Sequence, residues 1–149
     1  MAEAPQWQDL KRLALFADLT EHEIQRIMKL SFVKKYEPGS TLFVEGMPGE
    51  VLYVVQSGNV AIVKKTQSGE LTLMELGPGD CVGELSLLDD SPRSATARVV
   101  GPSELIVITR KCFQEMLTHD PLVTAKLLMH FLKVTASRLR AADKLLEFR

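Results

Sequence analysis

The sequence is poor in the residues most used for metal and redox chemistry, with two cysteines, three histidines and one tryptophan. Cys81 and Cys112 lie far apart with no Cys-x-x-Cys spacing, so two buried, reduced thiols are the expectation. An excess of either charge is also missing: 18 basic against 19 acidic residues give a net charge of −1. No global field therefore recruits nucleic acid or an anionic membrane. Long apolar runs are absent too. The longest stretch without a charged residue, 51–63, is 13 residues long and is broken by Ser57-Gly58, too short to span a bilayer. The first residues, MAEAPQWQDLKR, carry an early Glu3 and no apolar core, unlike a secretory signal. These absences point to a soluble, cytoplasmic protein. Its 149 residues make one domain, large enough to need no disulfide or metal staple.

Turn signals are plentiful and regular. Pro38-Gly39, Pro48-Gly49, Ser57-Gly58, Ser68-Gly69, Pro78-Gly79, Ser91-Pro92 and Gly101-Pro102 follow one another at spacings of 10, 9, 11, 10, 13 and 10 residues. Between them lie short β-rich runs at 41–44, 51–55, 60–63, 71–76, 95–100 and 105–108. Such spacing predicts an all-β sandwich or barrel. Partial alternation, as in Val60 and Ile62 against Ala61 and Val63, predicts strands with two differently buried faces.

Helices are expected on both sides of the β block. Thr20 is placed to cap a helix, Glu23 to close a capping box, and Leu19 with Ile24 to staple it. Residues 110–117 suit a short helix. Asp120 then caps a long one over 121–148 with Pro121 at its first position. Along that helix Ala125, Met129, Leu132, Ala136, Leu139, Asp143 and Leu146 recur at alternating spacings of 4 and 3, a heptad seam. A seam of this kind serves a homodimer, while the same helix could instead pack on its own barrel. The predicted organisation is N-terminal helices over 1–30, a barrel over 31–109 and C-terminal helices over 110–148.

One turn spacing is too long, and it holds GDCVGELSLLDDSPRSAT. Gly83 permits close backbone approach, and the next residues suit a single helical turn whose free N–H groups can face an anion. Arg93 sits on a loop fixed by Pro92, and its planar fork suits an oxygen-rich anion better than a lysine would. With the Ser94 hydroxyl these groups form a pocket for one phosphate. Read alone, Glu84 is equally a first-turn acid on a helix dipole and Arg93 a solvated loop residue.

The segment resembles the phosphate-binding cassette of the cyclic-nucleotide-binding domains, found in protein kinase A regulatory subunits, the bacterial catabolite activator protein and cyclic-nucleotide-gated channels. The family pattern is matched by Gly-Glu-Leu-Ser-Leu at 83–87 and Pro-Arg-Ser-Ala-Thr at 92–96, and the likeness runs from about Leu15 to the final helix. It implies a mainly β fold with flanking helices: an eight-stranded jelly-roll-type barrel, with the cassette over 83–96. It also implies roles. Glu84 would accept from the ribose 2′-hydroxyl and Arg93 would pair with the cyclic phosphate. Backbone N–H groups around Gly83, Leu85, Ser86 and Ala95 would complete the cradle, joined by Ser94. Leu73 and Val82 would line the base pocket. Cyclic AMP is expected ahead of cyclic GMP, with Ser94 between the alanine and threonine of the two site types.

The sequence departs from relatives late in the long helix. Where the catabolite activator protein sets a Thr-Ser pair against adenine, Ala142 and Asp143 stand here. Asp143 could be solvated, could pair with Arg140 or Lys144, or could accept from the base's exocyclic amine. The chain stops after this helix, so the expectation is a module with no DNA-binding segment, no metal and no resident cofactor, signalling to a separate effector protein through its C-terminal helices. A pocketless dimerisation or docking unit of the same fold is the alternative. A cupin-like metalloenzyme is not expected, because His22, His119 and His130 fall on predicted helices or at their ends, not on strands.

Overall fold

The computed structural model describes residues 6–83 and 91–147. A short helix α1 (Trp7–Lys11), a 3₁₀ turn (Ala14–Phe16) and helix α2 (Glu21–Leu30) precede the β block. Eight strands are described: β1 (Phe32–Tyr36), β2 (Thr41–Phe43), β3 (Val51–Ser57), β4 (Val60–Thr66), β5 (Gly69–Leu76), β6 (Cys81–Val82), β7 (Thr96–Val99) and β8 (Ser103–Thr109). Helices α3 (Arg110–His119) and α4 (Pro121–Glu147) follow.

The strands form two four-stranded antiparallel sheets, β1-β8-β3-β6 and β2-β7-β4-β5. The jelly-roll-type arrangement is as expected, but the sheets do not join into a closed barrel. The edge β6 is only two residues long, pairing Tyr53 with Val82 and Val54 with Cys81, so it cannot bridge to the other sheet. Inner faces of both sheets meet in one apolar cluster containing Val55 and Leu105 from one sheet and Val60, Ala97 and Val99 from the other. The opposite face of the first sheet, through Val54, Ile106 and Ile108, packs on Phe16, Ile24, Phe113, Leu127 and Phe131 of the helical elements. Having both faces covered explains why β8 reads as the unbroken run Leu105-Ile106-Val107-Ile108 and not as a strict alternation.

The cap of α2 is built as its residues require. Thr20 Oγ1 accepts from the Glu23 amide at 3.2 Å, and Glu23 Oε1 accepts from the Thr20 amide at 2.9 Å. Leu19 and Ile24, the staple pair, are both buried. Glu23 also accepts from Lys126 Nζ at 2.8 Å, which ties α2 to the root of α4. The lysine bond, then the Thr20 amide, holds the Glu23 carboxyl below its ordinary range. Asp120, just before α4, takes Arg26 of α2 as its ion-pair partner.

Helix α4 packs on its own domain and still leaves the heptad seam uncovered. Its buried stripe is Val123, Thr124, Leu127 and Phe131. Leu122, Met129, Leu132 and Leu139 are 67%, 54%, 64% and 63% exposed. The two alternatives for this helix are thus two different faces of it. Ala125 and Asp143 are exposed with the seam and Ala136 is half-buried; the Leu146 side chain lies outside the described residues. Cys81 is buried, and Cys112 is half-buried. No described helix is long and apolar enough to cross a membrane.

Candidate ligand-binding site

β6 ends at Val82, and Gly83 follows with φ +86°, a conformation that disfavours any side chain. Space excludes one as well. A Cβ at Gly83 would overlap the Arg93 guanidinium. Arg93 itself is held by the loop between β2 and β3: its amide donates to the Met47 carbonyl at 2.9 Å, and its carbonyl accepts from the Gly46 amide at 2.8 Å.

The side chain of Arg93 is only 6% exposed. Nη2 donates to the Val51 carbonyl at 2.8 Å, and Nη1 reaches the Gly83 carbonyl at 3.3 Å. The guanidinium carbon lies 4.0 Å from the centre of the Phe43 ring. Nε is buried and has no hydrogen-bond partner among the described residues. No carboxylate among the described residues pairs with this cation, and burial lowers its pKa from the ordinary arginine value. A desolvated cation with a free donor is costly to keep and gains most from an anion at hand.

Such an anion would enter a cavity of about 340 Å³ between the second sheet and the cassette. Its lining combines apolar Ile62, Leu73, Leu76 and Val82 with polar Ser91, Arg93 and Ser94. Lys64 stands at the rim with Nζ 3.3 Å from the Ser94 carbonyl. No acidic side chain is found among its described lining residues. A lining that joins cationic and hydroxyl groups to apolar side chains suits a small molecule that joins an anion to an apolar body.

Of the residues singled out from the sequence, Leu73, Val82, Gly83, Arg93, Ser94 and Ala95 are brought together on this cavity. Glu84, Leu85 and Ser86 lie outside the described residues. Asp143 is exposed on α4 and is not among the lining residues; the residue of α4 that does line the cavity is Arg138. Phe43, Lys64 and Arg138 were not anticipated. His22 and His130 lie in helices and His119 ends one, away from the strands that a cupin-like site would use.

A sequence model of the cyclic nucleotide-binding domain matches residues 33–120, more than half of the chain. The chain belongs to the cyclic-nucleotide-binding domain family. This domain is 36% identical over 90% of its length to the cyclic AMP receptor protein of Thermus thermophilus, covering 61% of that protein. It is 31% identical over 72% of its length to the cAMP-dependent protein kinase regulatory subunit of Yarrowia lipolytica, covering 28% of it. The domain thus spans less than two thirds of each of these curated relatives. Among solved structures, a cyclic nucleotide-binding domain from Methylobacillus flagellatus superposes with a TM-score of 0.83 at 25% identity, over 97% of this chain and 82% of that one. The catabolite activator protein of Thermus thermophilus gives a TM-score of 0.77 at 36% identity, over 90% of this chain and 62% of that one.

Proposed function

We propose that this domain binds cyclic AMP in preference to cyclic GMP and passes the binding event on through α4. Arg93 pairs with the cyclic phosphate, Ser94 and the amides around Gly83 and Ala95 complete the cradle, and Glu84 accepts from the ribose hydroxyl. The base lies against Leu73 and Val82. The observation that carries this reading is the buried Arg93 guanidinium, which has neither a partner for Nε nor a carboxylate beside it among the described residues. The names of the relatives favour cyclic AMP, since they include a cyclic AMP receptor and a cAMP-dependent kinase subunit.

Helix α4 supplies the output. Its first part is fixed by Val123, Leu127, Phe131 and the Lys126–Glu23 pair, and farther along it carries Arg138 to the cavity. The next residue, Leu139, belongs to the exposed seam. A ligand that draws on Arg138 therefore acts on the same turn that would meet a second copy of the chain. A homodimer through Leu132 and Leu139 is the assembly this face fits, with an effector beyond it. Calorimetric titration with cyclic AMP, cyclic GMP and a cyclic dinucleotide tests the reading. Saturable heat with cyclic AMP, and weaker binding of the other two, is expected; absence of heat with all three contradicts it.

A further inference from the structure

Consecutive strand residues normally face opposite sides of a sheet. Leu42 and Phe43 break that rule, for both pack against the cluster between the sheets. The cause is a register slip in β2, where Thr41 pairs with Arg98 but Phe43 pairs with Ala97. An irregularity of this kind re-aims a side chain. Here it sets the Phe43 ring on the cavity wall and beneath the Arg93 guanidinium carbon, 4.0 Å from the ring centre.

The ring is itself held in place. Tyr53 of β3 stacks on it with centroids 6.4 Å apart and planes at 26°. Tyr36 of β1 then meets Tyr53 edge to face at 6.3 Å and 80°. Three aromatic rings from three strands thus stand in file behind one guanidinium. Arg93 has its guanidinium carbon over the ring and donates from its two terminal nitrogens to the carbonyls of Val51 and Gly83. These contacts set its orientation before any ligand arrives and use only two of its five N–H donors.

We infer that Phe43, backed by Tyr53, is a positioning residue for the anion site: it fixes where the Arg93 guanidinium stands, so that its remaining donors meet the phosphate. This rests on the reading of Arg93 as the phosphate partner. A cation over a ring face gains more when it is desolvated, as Arg93 is. Phe43→Leu, which keeps apolar bulk and removes the ring, should weaken cyclic AMP binding about threefold to thirtyfold.

The test is a double-mutant cycle read by calorimetry, with thermal melting to show that each variant is folded. Phe43→Leu should weaken binding in the wild-type background and add less than about twofold in Arg93→Ala, because nothing is then left to orient. Phe43→Tyr, which restores a ring, should recover most of the affinity. Equal losses from Phe43→Leu in both backgrounds, or no difference between Leu and Tyr at this position, would overturn the inference and leave the phosphate reading intact. If Arg93→Ala binds as well as wild type, the phosphate reading fails, and the inference falls with it.

Discussion

Gly83 and Arg93 compete for one volume: a Cβ on residue 83 would overlap the guanidinium whose Nη1 reaches the Gly83 carbonyl. The absence of a side chain at one position is therefore what allows the buried pose of the other. Gly83→Ala should cost stability through its positive φ, roughly 1–2 kcal/mol. It should also weaken cyclic AMP binding by displacing Arg93. Urea unfolding and calorimetry on the same variant separate the two effects; full affinity in Gly83→Ala would show that Arg93 is not confined as described.

Glu84 is the expected reader of the ribose. One hydrogen bond to its carboxylate is worth roughly 1.5–3 kcal/mol. A 2′-deoxy cyclic AMP should bind wild type more weakly by that amount and bind Glu84→Ala about as well as cyclic AMP does. If the deoxy penalty persists in the variant, another group reads the hydroxyl.

The seam on α4 gives a third expectation. Leu139→Glu would place a charge among apolar neighbours of a partner helix and should give monomers. Light scattering decides it. A wild type that stays monomeric at high micromolar concentration, with and without ligand, rules out the assembly.

Acid stability follows from Glu23. Its carboxyl pKa lies below the ordinary 4.5 in the folded state, chiefly through the Lys126 bond. The unfolded chain therefore takes up this proton first as pH falls. The stabilisation is present above about pH 4.5 and lost as pH drops through the folded value. Glu23→Gln keeps the capping bond and loses the ion pair, so it should be less stable than wild type by up to about 1 kcal/mol at pH 7, and the gap should narrow at pH 3. Urea midpoints at the two pH values measure it, and a constant gap would refute the ionic origin.

Much of this was legible in the sequence because local chemistry states it locally. Thr20 and Glu23 name their own helix start, and the Pro-Gly and Ser-Gly pairs mark the ends of strands. The strand Phe32–Tyr36 was missed because Lys34 and Lys35 mask its pattern; its pairing with β8 places it. The sequence leaves Asp143 open between solvent, a basic neighbour and the base; in the structure it is exposed and stands about 140° round the helix from Arg138, the α4 residue that lines the cavity. The phase of α4 against the sheets is a tertiary property, with no local signal to set it. Phe43 escaped notice for a similar reason, since a register slip shows only when two strands are paired.

Whether Arg93 holds the phosphate is decided by calorimetric titration of wild type and Arg93→Ala with cyclic AMP. Removing the partner of a desolvated anion should cost roughly 2–5 kcal/mol, or about thirtyfold to a few thousandfold in affinity. Arg93→Lys should recover only part of this, because an ammonium cannot reproduce the planar fork. Equal affinities for wild type and a folded Arg93→Ala would contradict the account.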